Sequence, residues 1–306
     1  MTARRPAHTV AAMAKELYII DGHAHIYAAH FAPISGQLSS PTGEPTKAVY
    51  IFTMALLGLI ERRKPDMLAV ALDSKVKTFR SDIYADYKAQ RPPMPDDLPG
   101  QINRIEQILE AMNIPMLRID GFEADDIIGT LAKRAAADGY DCLLCSKDKD
   151  LLQLLDERIS TFDIKTDTKT DVKAMVEKMG VTPEQFIDVL SLQGDTSDNI
   201  PGIPGVGEFN AVKWIQQYKS LDNLYAHAHE LKGKRAESLR EHRNLAYLSK
   251  KLATIDCDVP LEIDYDALAL KTPDRARLTE IFSELGFGRL ITQLGLAKEP
   301  PAASLD

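Results

Sequence analysis

The sequence predicts an α/β fold, with a mostly parallel central sheet, helices on both of its faces and a helical part after it. From residue 17 to about 165, short apolar segments alternate with amphipathic helical stretches, which is the pattern of a parallel sheet. After about residue 171 the strand pattern fades and helical patterns continue. With 306 residues, 44% of them hydrophobic, the chain can bury a sizeable core.

The elements follow in order along the chain. Strands are predicted at LYIID, MLAVALD, PMLRI, CLLC and ISTFDI, and helices at 46–63, 98–113, 123–138 and 150–155. In the second part, helices are predicted at 172–179, 183–193, 211–218, 235–251 and 274–285. The predicted organisation is a flexible leader (1–16), an α/β core (17–170), a helical part (171–296) and a linker-like tail (297–306).

Composition indicates the class of protein and its compartment. No apolar run is as long as a membrane span and no signal peptide opens the chain, so a cytoplasmic protein is expected. The net charge of −8 argues against a nucleic-acid partner only if the acids are evenly spread. Cys142 and Cys145 have an odd spacing within one predicted strand, which favours buried packing on opposite faces.

Nine carboxylates occupy separated, motif-like positions, and most of them follow a predicted strand. They are Asp21, Asp73, Glu123, Asp125, Asp126, Asp148, Asp150, Asp195 and Asp198. Because the carboxyl ends of parallel strands meet at one edge of a sheet, these acids are expected to converge in one crevice. There they would repel one another strongly unless hard cations lay between them. The pattern predicts two or more Mg²⁺ or Mn²⁺ ions and a metal-dependent phosphodiesterase.

Several of these acids have an alternative role as helix caps. Glu123, Asp125 and Asp126 open a predicted helix, where acids interact well with the helix dipole and with free amides. Asp148 and Asp150 precede an apolar helical stretch in the same way. Three acids within four residues repel one another more than a cap requires, which favours a metal site.

A segment rich in glycine and proline, GDTSDNIPGIPGVGEFNAVKWI at 194–215, predicts a hairpin before a helix. Its glycines Gly202, Gly205 and Gly207 leave backbone N–H groups unobstructed, so these groups can hold a DNA phosphate without reading sequence. Lys213 adds a cation in the following helix. The alternative, a plain loop between helices, explains the glycines but not the two acids just upstream.

The segment FRSDIYADYKAQRPPMP at 79–95 interleaves aromatic and basic residues. This composition suits a single strand of nucleic acid, because bases stack on aromatic rings and phosphates meet cations. Arg80, Tyr84, Lys88 and Arg91 are the predicted DNA contacts. With few apolar neighbours, the segment is expected to be mobile without DNA. The alternative is a solvated amphipathic helix, on which Tyr84 and Lys88 share a face.

His23 and His25 suggest a different enzyme class. A His-x-His pair after a strand can bind Zn²⁺ in barrel hydrolases. Such a site needs further histidines at later strand ends, whereas His227 and His229 lie in helical sequence. A zinc amide hydrolase is therefore the weaker alternative.

Six motifs, in order, resemble one known family. IIDG, ALDSK, FRSDIYADYKAQRPPMP, GFEADD, SKDKDLLQLL and GDTSDNIPGIPGVGE are similar to the 5′–3′ exonuclease domain of bacterial DNA polymerase I, a relative of flap endonucleases. The resemblance covers about residues 17 to 296. It implies a first metal group, which holds the catalytic ion, at Asp21, Asp73, Glu123, Asp125 and Asp148. It implies a second group at Asp150, Asp195 and Asp198, with Asp126 also in the cluster.

The resemblance also implies an activity, namely metal-dependent 5′–3′ exonuclease or 5′ flap endonuclease action on DNA in replication and repair. Lys88 and Arg91 would steer the scissile phosphate, the 79–95 segment would form an arch around a 5′ strand, and a helix–hairpin–helix element with a K⁺ ion would bind duplex DNA. RNA primers as substrates and a polymerase domain in a longer chain are further expectations. A non-catalytic DNA-structure binding module of the same fold is the alternative.

Two positions depart from the family pattern. The residue after Tyr27 is usually Arg and is Ala28 here, which removes one phosphate contact near the cleavage site. After Gly207-Glu208 the family usually has Lys-Thr, and this chain has Phe209-Asn210. The second change removes a basic duplex contact.

Overall fold

The computed structural model describes residues 15–33 and 38–296, and within them it contains a six-stranded sheet in the order β3-β2-β1-β4-β5-β6. The strands are β1 (Glu16–Asp21), β2 (Met67–Ala71), β3 (Met116–Leu117), β4 (Asp141–Cys145), β5 (Ile159–Asp163) and β6 (Thr168–Thr170). Strands β1 to β5 are parallel, and β6 pairs antiparallel with β5. The predicted α/β class with a mostly parallel sheet is confirmed. Strand β6 was not predicted, because its three polar residues have no apolar pattern.

The helices of the first part are α1 (Gly22–His30), α2 (Lys47–Arg63), α3 (Phe79–Ile83), α4 (Leu98–Ala111) and α5 (Ala124–Ala137), with a 3₁₀ helix at Lys149–Leu154. Helix α1 was not predicted. It begins at β1 because the Asp21 side chain accepts the N–H of Ala24 at 3.0 Å and so caps the first turn. Of the predicted leader and tail, residues 1–14 and 297–306 lie outside the described residues, and Glu16 already belongs to β1.

Apolar residues cover both faces of the sheet. Tyr18 and Ile20 pack with α1, α2 and α4 on one face, whereas Leu17 and Ile19 pack with α5 on the other. This alternation follows from the two-residue period of a strand. Cys142 and Cys145 are buried free thiols in these two opposite clusters, as their spacing predicted.

The second part contains α6 (Val172–Met179), α7 (Pro183–Gln193), α8 (Glu208–Tyr218), α9 (Leu221–Ala226), α10 (Lys234–Glu241), α11 (Arg243–Ala253), α12 (Tyr265–Leu268), α13 (Arg275–Glu284) and α14 (Gly288–Gln293). The single helix predicted at 235–251 is wrong, because His242 leaves helical geometry (φ −104°, ψ 29°) and divides it. Helices α6 to α11 share their own apolar core. Helices α13 and α14 pack instead on the first part through Leu278 and Leu290.

The sheet order places β1 at the centre, between β2 and β4. Connections from these neighbouring strands run to opposite sides, and a crevice forms at such a reversal in open α/β sheets. The acids after β1, β2 and β4 therefore begin at one edge. No helix among residues 15–33 and 38–296 is long and apolar enough to cross a membrane.

Candidate metal centre and DNA-binding surfaces

A cleft of about 730 Å³ lies at the carboxyl edge of the sheet. Acids from four separate connections line it, at Asp21, Asp73, Asp125 and Asp148. Lys88 and Arg91 line the same cleft. The convergence that the strand ends predicted is therefore present, with cations and acids facing one space.

Asp21 and Asp73 are held by neighbouring loops. Asp21 is 6% exposed, and its Oδ2 accepts a hydrogen bond from Ser146 Oγ at 2.9 Å. Asp73 Oδ1 accepts the N–H of Ala124 at 2.9 Å, which ties β2 to the start of α5. Burial raises the pKa of Asp21 to about 6, with smaller contributions from the charges of Asp73 and Asp148.

Asp125 and Asp148 face the same space, and neither has a salt bridge to a basic side chain in the described part of the chain. Burial, followed by the charges of Asp21 and Asp148, raises the pKa of Asp125 well above its usual value. Asp148 caps the 3₁₀ helix by accepting the N–H of Asp150 at 2.9 Å, so its capping role and its place in the cleft coexist. A divalent cation would relieve the repulsion that these shifts record.

Asp126 has a structural role instead. It forms a capping box with Glu123, and its two carboxylate oxygens accept hydrogen bonds from Arg80 at 2.8 and 2.7 Å. Both side chains are buried, at 0% and 2% exposure, and Arg80 also donates to the carbonyls of Leu252 and Thr254. This structure therefore corrects two predictions. Both carboxylate oxygens of Asp126 are hydrogen-bonded to Arg80, so neither is available to a metal ion. Arg80 is buried inside the protein and does not reach DNA.

Among the acids of the second group, Asp150 is the best candidate for a metal ligand. Its Oδ1 atom is buried and has no hydrogen-bond partner among the described residues. Burial and the charges of Asp148 and Asp195 raise its pKa to about 7. Asp195 differs, because Ser197 and Lys149 donate hydrogen bonds to it and hold its pKa below the usual value.

Asp198 and Glu123 meet the basic segment. Arg91 lies 2.5 Å from Asp198, while Lys88 Nζ lies 2.9 Å from Glu123 and 3.5 Å from Asp198. The Tyr87 hydroxyl lies 3.1 Å from an oxygen of each acid. Burial raises the pKa of Tyr87, so the phenol stays protonated and donates to them. The pKa of Lys88 is raised by these acids against the effect of burial.

The donor set fits a hard divalent cation. Among the described residues, no three His, Cys, Asp or Glu side chains already surround one point at metal-bonding distance. Carboxylates without an ion between them repel one another, and here Lys88 and Arg91 neutralise two of them. Oxygen donors in this number and the orphaned Asp150 oxygen suit Mg²⁺ or Mn²⁺ after side-chain adjustment.

The 79–95 segment is packed more tightly than its sequence indicates. Arg80 and Tyr87 are buried, and Tyr84 packs against the core of the helical part. The premise that this segment has little to pack against is therefore wrong. Helix α3 ends at Ile83, and Lys88 has a left-handed backbone (φ 56°), so Tyr84 and Lys88 do not share a helical face.

The glycine hairpin precedes α8 as predicted. Gly205 and Gly207 donate their N–H groups to nothing within the described part of the chain, and a Cβ on either would stand in open space. The N–H of Gly202 donates to Ser249 Oγ at 3.0 Å, in a buried position. Gly202 is therefore needed by the fold and has no amide left for DNA. Lys213 is exposed on α8.

His23 and His25 separate in the structure. A hydrogen bond joins His25 Nε2 to the Cys145 carbonyl at 3.0 Å, while His23 Nδ1 accepts the N–H of Asp73 at 3.0 Å. The two rings have different partners, which removes the basis for a shared zinc site.

Three contributors to the site were missed at the sequence level. Ser146 links Asp21 to the Asp148 loop, Lys149 pairs with Asp195 at 3.0 Å, and Tyr87, an aromatic residue of the 79–95 segment, bridges two acids. Ser146 could have been found from its place two residues before Asp148, since serine there commonly bonds a loop amide. The two long-range contacts have no sequence signal.

Cations that face a row of acids across one cleft are typical of metal-dependent phosphodiesterases, and this is the class that the arrangement indicates. Comparison with known families gives the next step. Residues 16–180 match the 5′–3′ exonuclease N-terminal resolvase-like domain, and residues 181–276 match the 5′–3′ exonuclease C-terminal SAM fold. The chain belongs to this 5′–3′ exonuclease family, whose members are nucleases that act on DNA.

Curated relatives support the assignment. DNA polymerase I of Bacillus subtilis (strain 168) is 41% identical over 288 residues, which are 92% of this chain and 32% of the relative. The thermostable DNA polymerase I of Thermus thermophilus is 38% identical, over 93% of this chain and 34% of the relative. The chain thus spans about a third of the length of these relatives.

Solved structures support the fold. The bacteriophage T5 5′-exonuclease with bound zinc superposes with a TM-score of 0.66 at 22% identity, over 89% of this chain and 100% of that chain. The T5 flap endonuclease with DNA and metal ions gives 0.64 at 22% identity, over 89% and 100%. The catalytic core of Rad2 in complex with DNA substrate gives 0.61 at 15% identity, over 93% of both.

Proposed function

We propose that the chain hydrolyses phosphodiester bonds of DNA at a 5′ end or 5′ flap, with two or more divalent cations held by the acidic cleft. One observation supports this most directly. Asp21, Asp125 and Asp150 are acids with raised pKa and no lysine or arginine in salt-bridge range among the described residues, while Lys88 and Arg91 face the same region. An uncompensated negative site suits metal ions, and the neighbouring cations, which here pair with Glu123 and Asp198, suit a phosphate.

The proposed ligands fall into two groups. Asp21, Asp73, Glu123, Asp125 and Asp148 would hold the ion at the reacting phosphate, and Asp150, Asp195 and Asp198 would hold the other. Bound there, Mg²⁺ or Mn²⁺ lowers the pKa of a coordinated water and offsets charge on the phosphate. Asp126 is excluded from both groups by its bidentate pair with Arg80.

Lys88 and Arg91 would orient the phosphate. Lys88 Nζ lies within 3.5 Å of both Glu123 and Asp198, Arg91 lies 2.5 Å from Asp198, and both cations line the cleft. A fixed cation beside the reacting phosphate is most valuable as charge develops in the transition state. Lys88 should therefore affect the turnover rate more than DNA affinity.

The helical part would hold the duplex. The amides of Gly205 and Gly207 and the exposed Lys213 offer contacts to the DNA backbone and none to base edges, which suits recognition without sequence preference. A K⁺ ion bound by hairpin carbonyls is part of this proposal. The Pro204 and Gly205 carbonyls already accept bonds from Ser238 and Arg235, so other carbonyls would supply its ligands.

The remaining expectations follow from the family. We include RNA primers among the substrates, a polymerase domain in the same longer chain and action in the cytoplasm. The polymerase domain rests on the relatives, which are DNA polymerase I proteins about three times as long as the aligned region. RNA primers rest on the family resemblance, and the cytoplasm rests on the sequence composition.

A flap substrate tests the function. A duplex with a 5′-labelled single-stranded flap is incubated with and without Mg²⁺, and product length is measured on a gel. We expect short labelled products only with Mg²⁺, and a bulky block on the free 5′ end should slow cleavage far more than the same block in the duplex. Tight binding of the flap with no cleavage in Mg²⁺ or Mn²⁺ would instead identify a non-catalytic binding module.

A further inference from the structure

His23 is a residue of the cleft that the proposed reaction does not yet use. It is the second residue of α1, its side chain is 15% exposed, and its ring lines the cleft beside Asp73. The backbone N–H of Asp73 donates to His23 Nδ1 at 3.0 Å, and the same nitrogen lies 3.5 Å from Asp73 Oδ2. The ring therefore contacts both the backbone and the carboxylate of a candidate metal ligand.

The hydrogen bond defines the tautomer of the ring. Because Nδ1 accepts the Asp73 N–H, a neutral His23 carries its proton on Nε2. His23 therefore acts as a hydrogen-bond acceptor toward Asp73, and a side chain of similar length that also carries an acceptor could replace it.

Asp73 is held from three directions. Ala124 donates to its Oδ1 at 2.9 Å, Arg118 Nε donates to its carbonyl at 3.1 Å, and His23 accepts from its N–H. Only His23 comes from the connection after β1, which also carries Asp21. His23 consequently links Asp73, just beyond the end of β2, to the helix that begins directly after Asp21.

We propose that His23 is a positioning residue that orients Asp73, so that Asp21 and Asp73 present their oxygens to the same divalent cation. This inference rests on the proposed function. Partners of metal-binding carboxylates act on affinity through orientation, and their loss commonly costs about 10- to 100-fold in metal affinity or activity. The role belongs to His23 and not to His25, whose bond to the Cys145 carbonyl lies outside the acid pair.

His30 offers a matched control on the same helix. It is also 15% exposed, and it pairs with Asp97 at 3.0 Å, an acid as exposed (44%) as Asp73. Asp97 precedes α4 and is not a candidate ligand. Replacing His30 removes a His–Asp hydrogen bond of the same length, in which the ring donates to the carboxylate, without touching the cleft.

The test compares His23→Leu, His23→Asn and His30→Leu in the whole chain. Mn²⁺ binding is measured by calorimetry without DNA, and kcat and KM for the flap substrate are measured at saturating and limiting Mn²⁺. We expect His23→Leu to weaken Mn²⁺ binding by about 10- to 100-fold and to lower kcat at limiting metal, with KM for DNA unchanged. His23→Asn should restore binding to within about threefold, because the Asn Oδ1 accepts the same N–H.

The outcomes separate this inference from the proposed function. His30→Leu should lower thermal stability and leave Mn²⁺ binding unchanged. A folded His23→Leu that binds Mn²⁺ as the wild type does, or an Asn variant as weak as the Leu variant, overturns the positioning role. If the wild type neither binds Mn²⁺ nor cleaves DNA, the proposed function fails instead. Should His23→Leu not fold, His23→Ala, which leaves room for water, is measured in its place under the same criteria.

Discussion

Two sets of acids near the carboxyl edge of the sheet differ in whether a basic side chain neutralises their charge. Asp126 and Asp198 have arginine partners at 2.7 and 2.5 Å. Asp21, Asp125 and Asp150 have no lysine or arginine in salt-bridge range among the described residues, and the pKa of each is raised. Two sets of carboxylates in one region therefore differ in their electrostatic balance.

The difference indicates where an external cation is needed. An acid paired with arginine is already stabilised in its charged form, whereas a desolvated acid beside other acids is not. The sequence pattern predicts the same metal-binding role for all nine acids. The structure distinguishes Asp126, whose two oxygens bind Arg80, from the acids whose oxygens remain available to a metal ion.

The largest expected effect is at Asp148, which lines the cleft beside Asp21 and Asp125. Asp148→Ala should lower the cleavage rate by about 10³-fold or more, because it removes a proposed ligand of the catalytic ion. DNA affinity should be unchanged or higher, since a negative charge is lost. Single-turnover cleavage and equilibrium binding measure the two effects. Glu177→Ala, which removes an exposed acid on α6, is the control, and an unchanged rate in Asp148→Ala would remove it from the site.

The next effect is on stability, at Asp150. Its pKa is about 7 in the folded protein and near 3.8 in an unfolded chain, so its charge opposes folding above pH 7 and the opposition disappears as pH falls toward 4. With chelator present, Asp150→Asn should be more stable than the wild type by about 1 to 3 kcal/mol at pH 8, and by little near pH 4.5. Denaturant unfolding at both pH values measures this.

Asp195 gives the opposite sign and serves as the comparison for Asp150. Its pKa is lowered in the folded protein, so its charge stabilises the fold at pH 8 and this stabilisation is lost as pH falls through the folded pKa. Asp195→Asn should therefore be less stable than the wild type at pH 8. Equal effects of the two substitutions would contradict the division into paired and unpaired acids.

A smaller effect is expected where backbone amides, and not side-chain cations, would meet phosphate. Gly207 has ordinary backbone geometry and open space around its Cα, so Gly207→Leu should fold normally. The added side chain should lower duplex affinity by about tenfold, equally on unrelated sequences. Gly100→Leu, at a similarly open position on α4, is the control. A loss that depends on DNA sequence would contradict the backbone-contact account.

The smallest effect concerns Phe209, which is 79% exposed. The sequence resemblance led us to expect Lys at this position. Phe209→Lys supplies a fixed cation beside the hairpin. The slope of log affinity against log salt for duplex DNA should become steeper by about 0.9, with a modest gain in affinity at low salt. An unchanged slope would show that this position does not approach phosphate.

The order of elements and the convergence of acids could be predicted because both follow from local patterns. Strand ends at Asp21 and Asp73 and the helix start at Glu123 come from apolar periodicity and capping residues, and the sheet edge then collects them. The break at His242 could not be predicted, since the sequence on both sides is helical and only backbone geometry shows the interruption.

The hydrogen-bond partners of the side chains in the 79–95 segment could not be predicted from the sequence. Arg80 has the same surroundings in sequence as Lys88 and Arg91, yet it is buried against Asp126 from a helix 46 residues away. Tyr87 is likewise an aromatic residue in a segment whose composition suits base stacking, but its hydroxyl hydrogen-bonds to Glu123 and Asp198. Such assignments depend on tertiary contacts between distant segments, which local pattern does not encode.

The most direct test of the metal-centre account is a count of bound ions. Metal-depleted protein is titrated with Mn²⁺ at pH 7.5 by calorimetry, in the wild type, in Asp148→Ala and in Asp126→Asn. The account predicts two or more ions in the wild type, at least one fewer in Asp148→Ala, and an unchanged count in whatever fraction of Asp126→Asn remains folded. A wild type that binds no Mn²⁺, or an Asp148→Ala count equal to that of the wild type, would contradict it.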